Sequence, residues 1–339
     1  MNSYLKELCL LDGISGDEDN VRNYIINVIK DKCSYSVDNL GNIIALKKGR
    51  KTPPKKIMIA AHMDEVGMIV TSVRNDGTLT FDTVGGIDPS VIIGKRVRVG
   101  KNLLCGVVGS KPIHKLSSEE REKAAKVSAM YIDIGAADKA DAEKYVMQGD
   151  CVYFDSQFIT TDNDKIIKSK AIDDRAGCAI MLELIGSELE YDTWFVFNVQ
   201  EEIGLRGSMV SAFSVQPHFA IVLEATTAAD INGVSGEKRV CELGKGPVVS
   251  YMDRATMYDK ELFRLAFDCA AQNNIPCQTK SMVAGGNDSG SIHLSGRGVR
   301  TMAVSLPCRY LHSPSCVIAQ SDFCNAYKLV EILMKKVFD

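Results

Sequence analysis

Three short apolar runs in this chain each lead into residues able to ligate a metal: IMIAA (57–61) into His62 and Asp64, FVFNV (195–199) through Gln200 into Glu201 and Glu202, and FAIVL (219–223) into Glu224. Runs of about five apolar residues without polar alternation read as strands buried on both faces, the pattern of a helix-covered parallel sheet. Function in such sheets gathers beyond the carboxyl ends of the strands. Placing His and carboxylates there three times over predicts chemistry along one edge of one sheet.

Around those runs the texture is α/β at both ends of the chain and β-rich between. VRNYIINVIKDK repeats apolar residues at three and four spacing and predicts a helix. YSVDNLGNIIALKKG predicts a strand pair turning around residues 39–41. From about residue 66 to 160, VGMIVTSV, GTLTFDTV, KRVRVG, LLCGVVG and CVYFD are short and separated by Asn-Asp-Gly, Gly-Gly, Asp-Pro and Gly-Lys. Those are the turn signals of a small barrel or sandwich. One clear helix start interrupts them, where Ser117 followed by Glu120 fits a capping box. After residue 161, helices at 175–189 and 260–273, strands at 194–199, 219–223 and 299–305, and a terminal helix from about 321 restore the α/β alternation.

The expected fold class is therefore α/β: a mixed, mostly parallel sheet with helices on both faces, plus an inserted small β-barrel-like domain. The catalytic α/β domain is expected to be discontinuous, 1–65 and 161–339, with the β-rich insert at 66–160. At 339 residues the chain exceeds the roughly 250–300 at which one hydrophobic core stops growing, which agrees with two domains.

Charge narrows the function classes. A formal net charge of −3 and no Lys/Arg block exclude nucleic acid as the main partner. No run approaches the ~18 apolar residues of a membrane span. Lys6, Glu7 and Asp12 interrupt the first apolar stretch, unlike a signal peptide. With eleven cysteines and no CxxC pair, the chain reads as cytoplasmic with reduced thiols. Cys178, on an apolar helix, is expected in the core.

The ligand candidates are His62 and Asp64 in AHMDEVG, Asp173 and Asp174 in AIDDRAG, Glu201 and Glu202 in QEEIGLRG, Glu224 in LEATTAAD, and His312 in RYLHSPS. Zinc and similar ions take His nitrogen and carboxylate oxygen, and two metals can share a bridging carboxylate. Each motif alone also has a plainer explanation: a strand-end turn for HxD, an exposed acidic loop for the paired glutamates, a solvated strand end for Glu224. Asp64 on the same side of an extended strand as His62 could fix its tautomer. In an extended chain, Glu201 and Glu202 point in different directions, so one can bind metal while the other serves as base. Asp173 and Asp174 precede a helix, so one can cap it while the other bridges. His114, His218 and His293 read as structural.

Taken in order, AHMDEVG, AIDDRAG, QEEIGLRG, the carboxylate after FAIVL and RYLHSPS resemble the tetrahedral aminopeptidase family of cytosolic di-metal exopeptidases, some of which carry an endoglucanase label. The resemblance spans nearly the whole chain, including YIDIG at 131–135. It implies that His62 and Glu224 hold one metal, Glu202 and His312 the other, and that Asp173 bridges them. It further implies Glu201 as general base, Asp64 orienting His62, two divalent ions per subunit (zinc first, cobalt or manganese next), peptide substrates, and a homo-oligomer, a dodecamer, dimerising through the insert. Two departures stand out: Glu224 where the family often has Asp, and Gly285-Gly286-Asn287-Asp288 where it has GGTD. The competing readings are a di-metal hydrolase of another amide or a glycoside, and a non-catalytic metal-binding assembly protein.

Overall fold

The three apolar runs lie side by side at the centre of one sheet. The computed structural model describes residues 2–338 other than 162 and 164. In it Thr193–Asn198, Ile57–His62, Phe219–Thr227 and Arg300–Cys308 run parallel in that order. Antiparallel strands close both edges: Ser34–Val37 and Ile43–Lys47 beside Thr193–Asn198, and Val248–Val249 beside Arg300–Cys308. Among the described residues this makes a mixed sheet of seven strands.

Both faces of that sheet are covered, which is why its central strands carry no polar alternation. Ile57, Ile59 and Ala61 enter a core shared with helices Asn2–Leu10, Asp19–Ile29, Ile172–Gly186, Lys260–Gln272 and Gln320–Lys336. Met58 and Ala60 point the other way, onto Ala212 and Val215 of helix Arg206–Val215 and Ile292 of helix Ser289–Ile292. Phe195 and Phe197 against Val196, and Ile221 and Leu223 against Ala220 and Val222, repeat the division. Each fully buried side chain of this size contributes about 1.5–3 kcal/mol relative to exposure. Helix Ile172–Gly186 is apolar around most of its circumference because it lies between the sheet and helix Asn2–Leu10. Cys178 on it is fully buried, as expected.

The β-rich stretch closes into a barrel, in the order Gly67–Val73, Leu79–Val84, Met130–Asp133, Leu104–Ser110, Arg96–Val99 and Cys151–Phe154, the last strand pairing with the first. Met68, Val70, Val97, Ile132 and Val152 fill it. The Asn-Asp-Gly signal sits at its first hairpin, where Gly77 has φ +81° and a Cβ would meet Ala136 O at 2.8 Å. A short helix, Ser118–Arg121, follows Ser117; the Glu120 side chain of the expected capping box lies outside the described residues. Among the described residues no helix is long and apolar enough to cross a membrane.

Candidate metal centre

Each candidate ligand sits at or beyond the carboxyl end of a central parallel strand, or at the start of the helix packed on them. His62 ends strand Ile57–His62, and Glu224 lies in Phe219–Thr227 opposite Ser305. Glu201 and Glu202 follow Thr193–Asn198, and His312 follows Arg300–Cys308. The last arrives through a hairpin whose return strand, Cys316–Ala319, pairs with Ile166–Ser169.

Asp173 and Asp174 divide the two roles that the sequence left open. Both have non-helical dihedrals, and the peptide joining them is cis. Asp174 caps the helix: its Oδ1 accepts the Gly177 N–H at 2.9 Å. Asp173 instead faces the two imidazoles. Its Oδ1 lies 3.4 Å from His62 Nε2 and its Oδ2 3.3 Å from His312 Nε2. Glu224 Oε2 is 3.7 Å from His62 Nε2, and Glu202 Oε2 is 3.2 Å from His312 Nε2. Two donor groups result, His62–Asp173–Glu224 and Asp173–Glu202–His312, each with its ligand atoms within 4.8 Å of one another.

The outer nitrogen of each imidazole is held. His312 Nδ1 faces Gly86 O at 2.8 Å, which leaves Nε2 for the carboxylates. His62 Nδ1 lies 3.1 Å from Asp64 backbone O and 3.4 Å from Asp64 Oδ1, so Asp64 orients the ring more through its carbonyl than through its carboxylate. That carboxylate has a further task. Its Oδ1 accepts the Glu201 N–H and its Oδ2 the Glu202 N–H, both at 3.1 Å, with Ser15 Oγ donating to Oδ2 at 2.6 Å. The two glutamates therefore do not alternate along an extended strand as expected: Gln200 takes φ +56°, and the chain turns so that Glu201 O accepts from Gly204 N and Leu205 N.

Electrostatics indicate what this pocket would hold. Burial pushes the carboxyls of Glu201 and Glu224 well above the usual range and that of Glu202 to about 8, reinforced by their mutual repulsion. Burial lowers both imidazoles, but Asp173 and the neighbouring carboxylates outweigh it, taking His312 to about 10 and His62 well above its ordinary value. Glu224 Oε1 is buried without a hydrogen-bond partner. Crowded anions, ring nitrogens aimed inward and an orphaned oxygen fit a divalent cation, and imidazole with carboxylate is the donor set of zinc and its neighbours.

The centre opens into a cavity of about 400 Å³ lined by Asp173, Glu201, Glu202, Glu224 and His312, and also by Lys280 and Asn287. Lys280 is 5% exposed, donates to Ala284 O at 3.0 Å, and has its pKa lowered by burial. Neither Lys280 nor Ser15 was singled out as a site residue from the sequence: Ser15 reaches Asp64 from 49 positions away, and Lys280 joins the cavity only through the fold. His218 and His293 take ordinary structural hydrogen bonds, from Lys56 N and to Ser289 O.

A parallel sheet presenting two His–carboxylate groups and a further buried glutamate at its carboxyl edge is the layout of a hydrolase that works with metal. The chain belongs to the M42 glutamyl aminopeptidase family, whose model matches residues 41–329. It is 32% identical over 342 residues to a lysyl aminopeptidase of Pyrococcus furiosus, covering 98% of this chain and 96% of that one. The structure is similar to a TET aminopeptidase of the marine sediment archaeon Thaumarchaeota archaeon SCGC AB-539-E09, at TM-score 0.93 and 34% identity over 100% and 98% of the two chains. It is also similar to the TET1 peptidase of Pyrococcus horikoshii, which assembles into a tetrahedron or a large octahedral shell, at TM-score 0.86 and 33% identity over 98% of each chain.

Proposed function

We propose that the chain is a two-metal aminopeptidase that removes N-terminal residues from peptides. His62 and Glu224 hold one divalent ion, Glu202 and His312 the other, and Asp173 is shared. The observation that carries this reading is the division of one carboxylate: Asp173 turns a separate oxygen to each imidazole. Bound divalent ions supply Lewis-acid polarisation of the scissile carbonyl and lower the pKa of water. Zinc suits the ligands best, with cobalt and manganese as substitutes.

Glu201 is the general base. It lines the cavity, belongs to neither donor group, and its raised carboxyl pKa suits a group that takes a proton from water and returns it to the leaving amine. Asp64 fixes both the ring of His62 and the turn that presents Glu201 and Glu202. The catalytic domain comprises 1–65 and 161–339, and the insert at 66–160 mediates dimerisation within a closed dodecamer. Exposed Leu103, Val107, Ile113 and Met147 on the insert, and the shells of the Pyrococcus horikoshii relative, support that assembly. A cytoplasmic location accords with eleven free cysteines.

The test combines metal analysis with a panel of aminoacyl anilides, glutamyl and lysyl included, and a polysaccharide control. Wild type should bind about two divalent ions and cleave one or more anilides. Glu201→Gln should keep the ions yet lose about 10²- to 10⁴-fold in kcat, the usual contribution of a general base. Undiminished turnover by that variant would remove Glu201 from the mechanism.

A further inference from the structure

A groove of about 660 Å³ leads away from the metal centre, a size within the roughly 300–1,000 Å³ of ligand sites. It shares Asp88, Thr227, Leu311 and His312 with the cavity around the ligands, so the two are continuous. Its other end shares Lys95, Lys168, Pro314 and Ser315 with a further cavity of about 340 Å³. The groove therefore runs from His312 to a pair of lysines. Ile93 and Val317 are among its walls.

The lysines come from separate parts of the fold and have fixed backbones. Lys95 belongs to the β-rich insert, where its N–H donates to Ile92 O and its carbonyl accepts from Val108 N. Lys168 lies in strand Ile166–Ser169, in register with Val317 on one side and Ile159 on the other. Among the described residues neither ammonium has a carboxylate partner; the nearby Asp155 is taken by Arg96 at 2.9 Å.

We propose that this groove binds the part of the substrate beyond the scissile bond, and that Lys95 and Lys168 receive the C-terminal carboxylate of a short peptide. The inference rests on the aminopeptidase reading. With the first peptide carbonyl at the metal ligands, the rest of the chain has to leave the cavity, and this groove is continuous with it. Apolar walls accept side chains of many kinds, whereas two unpaired cations at the far end discriminate by charge. The enzyme is accordingly a peptidase of short peptides, with a length preference set by the span from His312 to the lysines.

The experiment measures KM for peptides of two to six residues bearing the best N-terminal residue of the anilide panel, each as free acid and as C-terminal amide. Wild type should favour the free acid at one length by about two- to fivefold, the strength of a part-exposed ion pair, and the preference should shrink as salt is raised. The double variant Lys95→Gln/Lys168→Gln should show equal KM for acid and amide. An acid preference that survives in the double variant, or is absent from wild type at every length, overturns the assignment. So does an amidated peptide with an internal glutamate that matches the free acid, since the lysines would then read a side chain. Equal KM values alongside normal anilide turnover sink only this inference, whereas no turnover on any anilide sinks the aminopeptidase reading itself.

Discussion

Arg175 Nε donates to the backbone carbonyl of Met63 at 2.7 Å, tying the helix behind Asp173 to the strand end that carries His62 and Asp64. The same fully buried guanidinium donates to Leu8 O at 2.6 Å and Gly13 O at 3.1 Å. Arg175→Met has similar length but leaves the buried Met63 carbonyl without a donor, at a cost of about 1–3 kcal/mol, while Leu8 O keeps the Leu11 N–H and Gly13 O keeps the Glu65 N–H. Urea unfolding should show a loss of about 1–3 kcal/mol; a loss below about 1 kcal/mol would mean that Met63 O finds another partner.

Asp64→Asn preserves shape while replacing one acceptor oxygen with a donor. Either Glu201 N–H or Glu202 N–H then meets an amide hydrogen, and the turn that presents the base loosens. Groups that orient ligands from behind are worth about 10- to 100-fold in activity or metal affinity. The expected result is a fall of that size in kcat/KM. A change within about threefold would show that the backbone carbonyl of Asp64 alone suffices to hold His62.

Because Asp173 belongs to both donor groups and Glu224 to one, their removal should differ in stoichiometry as well as in affinity. Metal analysis after dialysis should find about one ion on Glu224→Gln and less than one on Asp173→Asn, since a zinc site that loses a shared ligand loses it twice. Equal metal content in the two variants would contradict the sharing.

The sheet was legible because its central strands are buried on both faces, so IMIAA, FVFNV and FAIVL show no polar alternation, Asn198 being the one polar residue among them. For the same reason His62 and Glu224 stood out as the first polar groups after their runs, and Glu201 and Glu202 as the first charged ones after theirs. What the sequence withheld depends on backbone geometry and distant contacts. Asp173 and Asp174 are chemically alike, and only their dihedrals decide which one turns back to cap Gly177. His312 looks like an isolated loop residue until the hairpin back to Cys316–Ala319 brings it to Gly86 and Asp173. Helix Arg206–Val215 has no strong apolar periodicity, because Met209 and Phe213 remain exposed on it while Ser208 and Ser211 are buried. The short sheet of Ile159–Thr160, Ile166–Ser169 and Cys316–Ala319 joins segments about 150 residues apart, a pairing no local pattern encodes.

Gly177 is the residue whose smallness allows Asp174 to cap. A Cβ at that position would stand 2.3 Å from Asp174 Oδ2 and 2.7 Å from Oδ1, so the carboxylate would have to swing away. Gly177→Ala should therefore lose the cap, about 0.5–2 kcal/mol, and shift the adjoining Asp173 away from the imidazoles. Gly186 ends the same helix with nothing within 4 Å of where a Cβ would sit, so Gly186→Ala should gain roughly 0.5–1 kcal/mol with metal content unchanged. Thermal unfolding and metal analysis of the pair separate helix propensity from site geometry. If both variants bound metal equally well, the crowding at Gly177 would have no bearing on where Asp173 points.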